Sequence, residues 1–339
     1  MTGVERIERA LRFEKTDRVP VIPELIQHNL NVAGRKHGEF STVPEVMAEV
    51  IFAGQEEYET DAVYISSDNY LIAEAMGGVV KIPEDEPPGL LKRPAETIEE
   101  ALRLKPLNVK DGRIPVILEA TEICRKKLQD SIYVKTCIDS APFTAAAGVL
   151  GPQEWLFTLV DEPECSHNLL RICTESVIRY GCAAAEAGAH GLAFGDSTAA
   201  LVGAELYREF ALPYVQQVIE ELHKKTGLPV FYHVCGNTKH ILEDMVKTGA
   251  DCIEIDSMVP MDFAKEKAWG KCAVEGNVST IKSFLEGTPK DVKSEAYNIL
   301  DVFGNRGGLI LSSACEIPRF SPKENVRALT DAAREYPYE

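Results

Sequence analysis

The residues best suited to metal chemistry in this chain are a histidine and a cysteine two positions apart, in the segment Tyr232-His233-Val234-Cys235. Side chains two residues apart in an extended segment lie on the same side, so His233 and Cys235 can reach one ion. Cys315 follows another apolar run near the carboxyl end of the chain and can supply a second sulfur. Two thiolates and an imidazole favour zinc over the hard cations, and three protein ligands leave one position open for chemistry.

The charge of such a site limits the chemistry that it supports. Two thiolates and Zn²⁺ sum to zero, which makes the ion a milder Lewis acid than one held by three neutral histidines. A site of this kind favours activating a thiol, or gripping an oxygen leaving group, over making a hydroxide. A zinc hydrolase is therefore a disfavoured alternative.

Eight short apolar runs, separated by amphipathic helical patterns, predict the elements that position these residues. The runs are Val19–Pro23, Ala62–Ser66, Ile132–Ile138, Gly191–Phe194, Pro229–Val234, Cys252–Ile255, Cys272–Val274 and Gly308–Leu311. They are typical of a parallel sheet covered on both faces. We predict an α/β fold, a single (β/α)8 TIM barrel over residues 1–339 with extra N-terminal helices.

Two features of the pattern bear on this prediction. A doubly wound open sheet is the alternative, but no Gly-x-Gly-x-x-Gly follows the first run, which weakens a dinucleotide-binding version of it. The stretch Phe40–Gly112 is longer than one strand–helix unit needs, so we expect helical excursions there and no separate domain.

A barrel places its chemistry at the carboxyl ends of the strands. Polar side chains follow all eight runs, namely Glu24 and His28, Asp68 and Asn69, Asp139, Asp196, His233 and Cys235, Asp256, Glu275 and Asn277, and Cys315 and Glu316. Asp196 and His28 are candidate catalytic residues that donate or accept a proton. The candidate lining residues are Glu24, Asp68, Asn69, Asp139, Tyr232 and Asn277. Each also has a purely structural interpretation, as a helix cap or hydrogen-bond partner, and Glu254 is expected to point away from this edge.

The composition excludes several classes of function. Asp and Glu number 53 against 36 Lys and Arg, a net charge of −17, and so acidic a surface repels nucleic acids and anionic membranes. No apolar run is long enough to span a membrane, and the N-terminus lacks the apolar core of a signal peptide. The nine cysteines form no disulfide framework, so we expect free thiols and a cytoplasmic protein. A homodimer is compatible with the sequence but not indicated by it.

Segments along nearly the whole chain resemble one family. They are Glu5-Arg6-Ile7, Lys15–Pro20, Ala204–Tyr214, Gly276-Asn277-Val278 and Cys315–Pro318. These segments resemble the uroporphyrinogen decarboxylase superfamily, whose fold is a (β/α)8 barrel. The decarboxylases place an Arg-Gln-Ala-Gly-Arg segment after the first strand to hold substrate carboxylates. The corresponding segment Pro23–His28 contains no arginine, so we reject decarboxylation of a porphyrinogen.

Within this superfamily, His233, Cys235 and Cys315 resemble the zinc ligands of the corrinoid-dependent methyltransferases. This branch contains methylcobalamin:coenzyme M methyltransferases and the methyltransferase I components of O-demethylases. Asp256 falls where the coenzyme M enzymes carry a glutamate that is the fourth zinc ligand, and its shorter arm departs from that pattern. If Asp256 binds the resting ion, we expect substrate to displace it.

The resemblance implies a zinc-dependent methyltransferase that moves a methyl group between a small methylated substrate and the cobalt of a corrinoid (cobalamin) on a partner protein. The strand ends lack an obvious Lys/Arg cluster for the sulfonate of coenzyme M. We therefore favour O-demethylation of a methoxylated aromatic. The alternatives are a methylcobalamin:thiol methyltransferase of the coenzyme M type and a non-catalytic corrinoid-binding subunit.

Overall fold

The computed structural model describes residues 1–338, and its strands account for seven of the eight predicted runs. Within these residues the strands are β1 (Ala62–Ile65), β2 (Val79–Lys81), β3 (Gly89–Lys92), β4 (Tyr133–Ser140), β5 (Gly191–Gly195), β6 (Val230–Val234), β7 (Cys252–Ile255), β8 (Ala273–Val278) and β9 (Leu309–Ser313). Seven of them form one parallel sheet in the order β1-β4-β5-β6-β7-β8-β9. The fold is thus α/β and TIM-barrel-like.

Helices precede, separate and follow the strands of this sheet. Over residues 1–338 they are α1 (Gly3–Leu11), α2 (Ile26–Ala33), α3 (His37–Phe40), α4 (Pro44–Tyr58), α5 (Leu71–Ala75), α6 (Ile98–Ala101), α7 (Ile114–Leu128), α8 (Pro142–Leu150), α9 (Pro152–Asp161), α10 (Pro163–Glu186), α11 (Ala204–Leu206), α12 (Leu212–Thr226), α13 (Leu242–Val246), α14 (Met261–Ala268), α15 (Pro289–Phe303) and α16 (Lys323–Glu335). Short 3₁₀ or π turns lie at Ser197–Leu201, Tyr207–Ala211, Thr238–His240 and Thr280–Leu285. None of the helices described is long and apolar enough to cross a membrane.

The first predicted strand, Val19–Pro23, is present only as a single bridge between Val21 and β9, so the strict eight-stranded prediction is not met. Pro20 and Pro23 have no N–H, and the segment therefore cannot form a regular ladder. Backbone bonds still tie it on both sides. Ile22 donates to Leu311 of β9, and the carbonyl of Val21 accepts from Asp61, just before β1.

The stretch between β1 and β4 also differs from the prediction. Besides α5 and α6, which are helical excursions of the expected kind, it contains an antiparallel hairpin formed by β2 and β3. The hairpin strands are short and largely solvent-facing, so they lack the buried apolar run from which the other strands were recognised. All nine cysteines are free, which confirms that the chain has no disulfide framework.

The interior of the sheet is built in layers because alternate residues of each strand face inward. The lowest layer is apolar and packs against α1, and it includes Tyr133, Phe231, Cys252, Ala273 and Ile310. Two residues further along their strands stand Lys135, His233, Glu254 and Glu275. The interior thus changes from apolar to charged toward the carboxyl ends of the strands.

Candidate metal centre

The structure brings the three predicted soft ligands together. The Nε2 atom of His233 lies 2.8 Å from the Cys235 sulfur, and the Cys235 and Cys315 sulfurs are 3.9 Å apart. The ligand atoms of the three residues all lie within 4.8 Å of one another. Tetrahedral zinc with bonds of about 2.3 Å to sulfur separates two sulfurs by about 3.8 Å, so the sulfur pair already has the spacing that such an ion requires.

The pKa values of the three side chains are shifted in different directions. The hydrogen bond between the sulfurs lowers the pKa of Cys235 to about 3, and the positive charge of His233 acts in the same direction. The same hydrogen bond, with burial, raises the pKa of Cys315. Burial alone lowers the pKa of His233, but the neighbouring Cys235 thiolate outweighs it and raises this pKa to about 10. These opposite shifts favour a thiolate at Cys235 and a protonated thiol at Cys315.

A buried charged network lies directly beneath the histidine. Glu254 is opposite His233 in the register of β6 and β7, and its Oε2 atom lies 3.5 Å from His233 Nδ1. Its other oxygen lies 2.5 Å from Lys135 Nζ, which also contacts Glu275 at 2.8 Å. Burial raises the pKa of Glu275 to about 8, although Lys135 opposes this shift.

The prediction that Glu254 points away from the site was wrong. Residues two apart on a strand face the same way, so Glu254 and Asp256 are expected on the same, inward face of the sheet. The alternation rule could have found it. Lys135 was missed as well, and a lysine inside an apolar strand run, Tyr133–Ser140, was the available signal.

Asp256 lies at the end of β7, but the structure does not bring its carboxylate into the cluster of ligand atoms. Its Oδ2 accepts from the backbone N–H of Gly236 at 3.0 Å, and its Oδ1 accepts from Met258 N–H at 3.0 Å. Gly236 has a φ of +82°, a conformation that favours glycine, and the bond fixes the turn directly after Cys235. Asn277 supports the same loop, since its Nδ2 donates to the carbonyls of Asp256 and Val259.

Asp196 and Tyr232 lie in a buried hydrogen-bonded network behind β6. Tyr232 donates to Asp196 Oδ2 at 3.0 Å, and Asp196 Oδ1 accepts from both the N–H and the hydroxyl of Thr144. Burial raises the pKa of Asp196 to about 6. Asp196 N–H also donates to the carbonyl of His233 at 2.8 Å, so the network holds the strand ends around the histidine.

Glu24 is the predicted lining residue that the structure places near His233 and Glu254. One of its carboxylate oxygens, a His233 ring nitrogen and a Glu254 oxygen lie within 4.8 Å of one another. Burial raises the pKa of Glu24 to about 7.

Three other predicted site residues have partners of their own. His28 is buried, and its Nε2 is 2.6 Å from the Tyr58 hydroxyl. Asp68 forms an ion pair with Arg113 at 2.6 Å. Asp139 accepts from Ile72 N–H at 2.7 Å. These contacts match the structural interpretation of each residue, and none of the three belongs to the cluster of potential ligands.

A cavity of about 620 Å³ has Ser197, a neighbour of Cys235, in its lining. Ser197 and Thr198 line one side of it, and the Ser197 hydroxyl lies 3.5 Å from the Cys235 sulfur. Asn69 lines the opposite part, together with Leu91, Lys92 and Arg93 of the hairpin side. The hairpin thus forms a wall of the space beside the soft ligands, which the sequence did not predict.

The family follows from a comparison with known sequences. The profile of the uroporphyrinogen decarboxylase (URO-D) family matches residues 2–336. The chain belongs to the uroporphyrinogen decarboxylase family. This confirms the resemblance inferred from the scattered segments.

Relatives within the family point to its corrinoid-dependent methyltransferase branch. The chain is 29% identical to the methylcobamide:CoM methyltransferase MtbA of Methanosarcina acetivorans, over 99% of both chains. It is 28% identical to the methylated-thiol–coenzyme M methyltransferase of Methanosarcina mazei, over 99% of this chain and 90% of that one. A solved methyltransferase structure from Methanosarcina mazei superposes with a TM-score of 0.90 and 27% identity, covering 99% of each chain.

Proposed function

We propose that this protein is a zinc-dependent methyltransferase that moves a methyl group from the cobalt of a corrinoid, carried by a partner protein, to a small thiol. The observation that carries the proposal is the convergence of His233, Cys235 and Cys315 beside the cavity reached through Ser197. The relatives named above act on CoM and on methylated thiols, which favours the thiol reaction.

The donor set fits zinc. Two cysteine sulfurs and one imidazole are soft or borderline ligands, and their number leaves a position for a substrate atom. When bound there, zinc would hold the sulfur of the acceptor thiol and lower its pKa. The reaction would release the proton of the thiol, break the cobalt–carbon bond and form a carbon–sulfur bond, with the electron pair of the broken bond staying on cobalt.

The chain's own residues hold the proposed ligands in position. The Asp196–Tyr232–Thr144 network holds the carboxyl ends of β5 and β6, and the Asp256–Gly236 bond fixes the turn after Cys235. Apolar and small residues of α8 and the hairpin side, including Ala147, Gly148 and Leu91, line the adjoining cavity.

O-demethylation of a methoxylated aromatic gains no support from the named relatives, so the thiol alternative replaces it as our main proposal. Decarboxylation of a porphyrinogen is not proposed either, because the segment Pro23–His28 presents Glu24 and no arginine to an anionic substrate.

The test is methyl transfer from free methylcobalamin to 2-mercaptoethanesulfonate and 2-mercaptoethanol by the zinc-loaded protein. We expect the methyl-Co(III) absorbance to give way to that of Co(I) under anaerobic conditions. Cys235→Ala should bind less than one zinc per chain and lose the activity. Cys165→Ser is the matched control because Cys165 lies on α10 outside the ligand cluster, and it should keep both.

Two results would contradict the proposal. One is the absence of stoichiometric zinc in the folded wild-type protein. The other is a zinc-loaded protein that demethylates methoxyaromatics with Co(I) cobalamin but transfers no methyl group to any thiol, which would restore the O-demethylase interpretation.

A further inference from the structure

We infer that exposed apolar and basic side chains around the carboxyl edge of the sheet form the docking surface for the corrinoid protein, whose own contact surface is acidic and apolar. The inference rests on the proposed function, because a partner that carries the methyl-cobalt group must approach the metal centre at this edge. We call the segments that carry these side chains the rim. They are β3 and the segments that directly follow β5, β7, β8 and β9.

Each of the five rim segments has one large, exposed apolar side chain. Residues 1–338 contain eleven exposed large hydrophobic side chains, and five of them lie on the rim. The five are between 50% and 72% exposed, and they are Leu91 on β3, Leu201 after β5, Met258 after β7, Ile281 after β8 and Phe320 after β9. Isolated exposed apolar residues are common on protein surfaces, but their recurrence around one edge indicates an interaction surface.

Contacts between neighbouring segments connect the rim. Arg319, in the segment after β9, donates to the carbonyl of Asp85 in the turn of the hairpin at 3.1 Å. Asn325, at the start of α16, donates to the carbonyl of Phe284 in the segment after β8 at 3.0 Å. The bonds of Asn277 described above join the segments after β7 and β8, and β3 and the segment after β5 line one cavity. The five apolar side chains therefore lie around the strand ends that carry the proposed ligands.

The rim is locally basic in a chain whose net charge is −17. Three of the five apolar residues have a cation next to them in the chain, namely Lys92, Lys282 and Arg319, and none has an adjacent Asp or Glu. The carboxylate of Asp256, two residues before Met258, is occupied by backbone N–H groups. Because opposite charges across an interface speed association and select the partner, the rim favours a partner surface that combines acidic and apolar side chains.

The charge of the rim also bears on a second copy of this chain as the occupant. A symmetric dimer through the rim would bring two identical surfaces with the same cations together. It would also bring together two chains that each have a net charge of −17, and the repulsion opposes their association. A corrinoid protein with an acidic contact surface meets neither obstacle.

The experiment measures the Kd between this protein and a methylated corrinoid protein, purified from the source organism by its cobamide absorbance, with isothermal titration calorimetry. We expect the double variant Ile281→Ser/Phe320→Ser to bind at least about 10-fold more weakly, because it removes two apolar contacts. Methyl transfer from free methylcobalamin, measured on the zinc-loaded wild-type protein, tests the proposed function separately.

Charge reversal tests the basic part of the rim. Lys282→Glu should weaken binding about 10-fold at low salt and less at high salt, because salt screens exposed charges. Lys271→Glu is the matched control. Lys271 is also exposed, but it precedes β8 and lies at the opposite edge of the sheet, so its variant should change the Kd less than about 2-fold.

Wild-type affinity in folded rim variants, checked by circular dichroism, would overturn the inference, and so would a wild-type protein that binds no corrinoid protein. A wild-type dimer in sedimentation velocity that Ile281→Ser/Phe320→Ser abolishes would assign the rim to a second copy and also overturn it. All three results leave the proposed function intact if free methylcobalamin is demethylated. Binding of the corrinoid protein without any methyl transfer would instead contradict the proposed function.

Discussion

At the scale of single residues, the histidine is the member of the metal centre whose surroundings matter most. His233 has one ring nitrogen against the Cys235 sulfur and the other facing Glu254. A carboxylate behind a ligating imidazole fixes the ring orientation and raises its basicity. Lys135 in turn forms an ion pair with Glu254 and holds it in place at the centre of the sheet.

We predict that Glu254→Gln lowers zinc affinity on the order of 10–100-fold, because the neutral amide no longer stabilises the imidazole as a ligand. Chelator competition measures the change. Glu275→Gln is the matched control, since Glu275 also contacts Lys135 but makes no contact with His233. Equal losses in the two variants would indicate a general effect of the buried charges and contradict a specific role for Glu254.

At the scale of elements, the segment before β1 is held by side chains where a strand ladder is missing. Asp61 accepts from Val21 N–H at 2.8 Å and forms ion pairs with Arg6 of α1 and Arg18 at 2.5 and 2.6 Å. This carboxylate connects α1, the irregular segment and β1. The segment carries Glu24, so the same contacts also position a carboxylate that lies near His233.

We predict that Asp61→Asn lowers the free energy of unfolding by about 3–5 kcal/mol, because it removes the carboxylate that pairs with Arg18 and leaves Arg6 with Asp17 alone. Denaturant unfolding measures the loss. Asp17→Asn is the control, because Asp17 pairs with the same Arg6 but its side chain is 45% exposed. It should cost less than about 1 kcal/mol. Similar losses in both variants would disagree with a special role for the buried carboxylate.

At the scale of the whole molecule, the carboxyl edge of the sheet concentrates buried acids in a protein that is already acidic. Burial raises the pKa of Asp139 to about 7, and Asp68 adds to this shift while Arg113 and the bond from Ile72 N–H oppose it. Burial raises the pKa of Glu316 to about 7 as well. Ionising such buried carboxyl groups lowers the free energy of unfolding, and the net negative charge of the chain does not offset this loss.

We predict a pH dependence of stability that Asp139 controls. The folded Asp139 keeps its proton up to about pH 7, whereas its ordinary pKa is 3.8, so the folded state binds more protons between these values. Stability therefore falls as pH rises through this window, by at most about 1.4 kcal/mol per pH unit, and levels off above it. Urea unfolding between pH 4.5 and 8 should give a shallower slope for Asp139→Asn. An unchanged slope would assign the dependence to other groups.

The sequence by itself determined the parts of this protein that depend on local pattern. The apolar periodicity predicted the seven strands of the sheet, and residue type with two-residue spacing identified His233 and Cys235, to which Cys315 at another strand end was added. Sequence also predicted the family, because its segments are recognisable one by one.

Only the tertiary structure decided which acids face the metal centre, because that depends on inter-strand register and loop paths. Register places Glu254 opposite His233, the turn at Gly236 occupies Asp256, and β9 brings Glu24 beside Cys315. The fate of the first predicted strand was also decided there. Two prolines lack N–H donors, and the Asp61 carboxylate, 40 residues away from Val21, accepts the Val21 N–H.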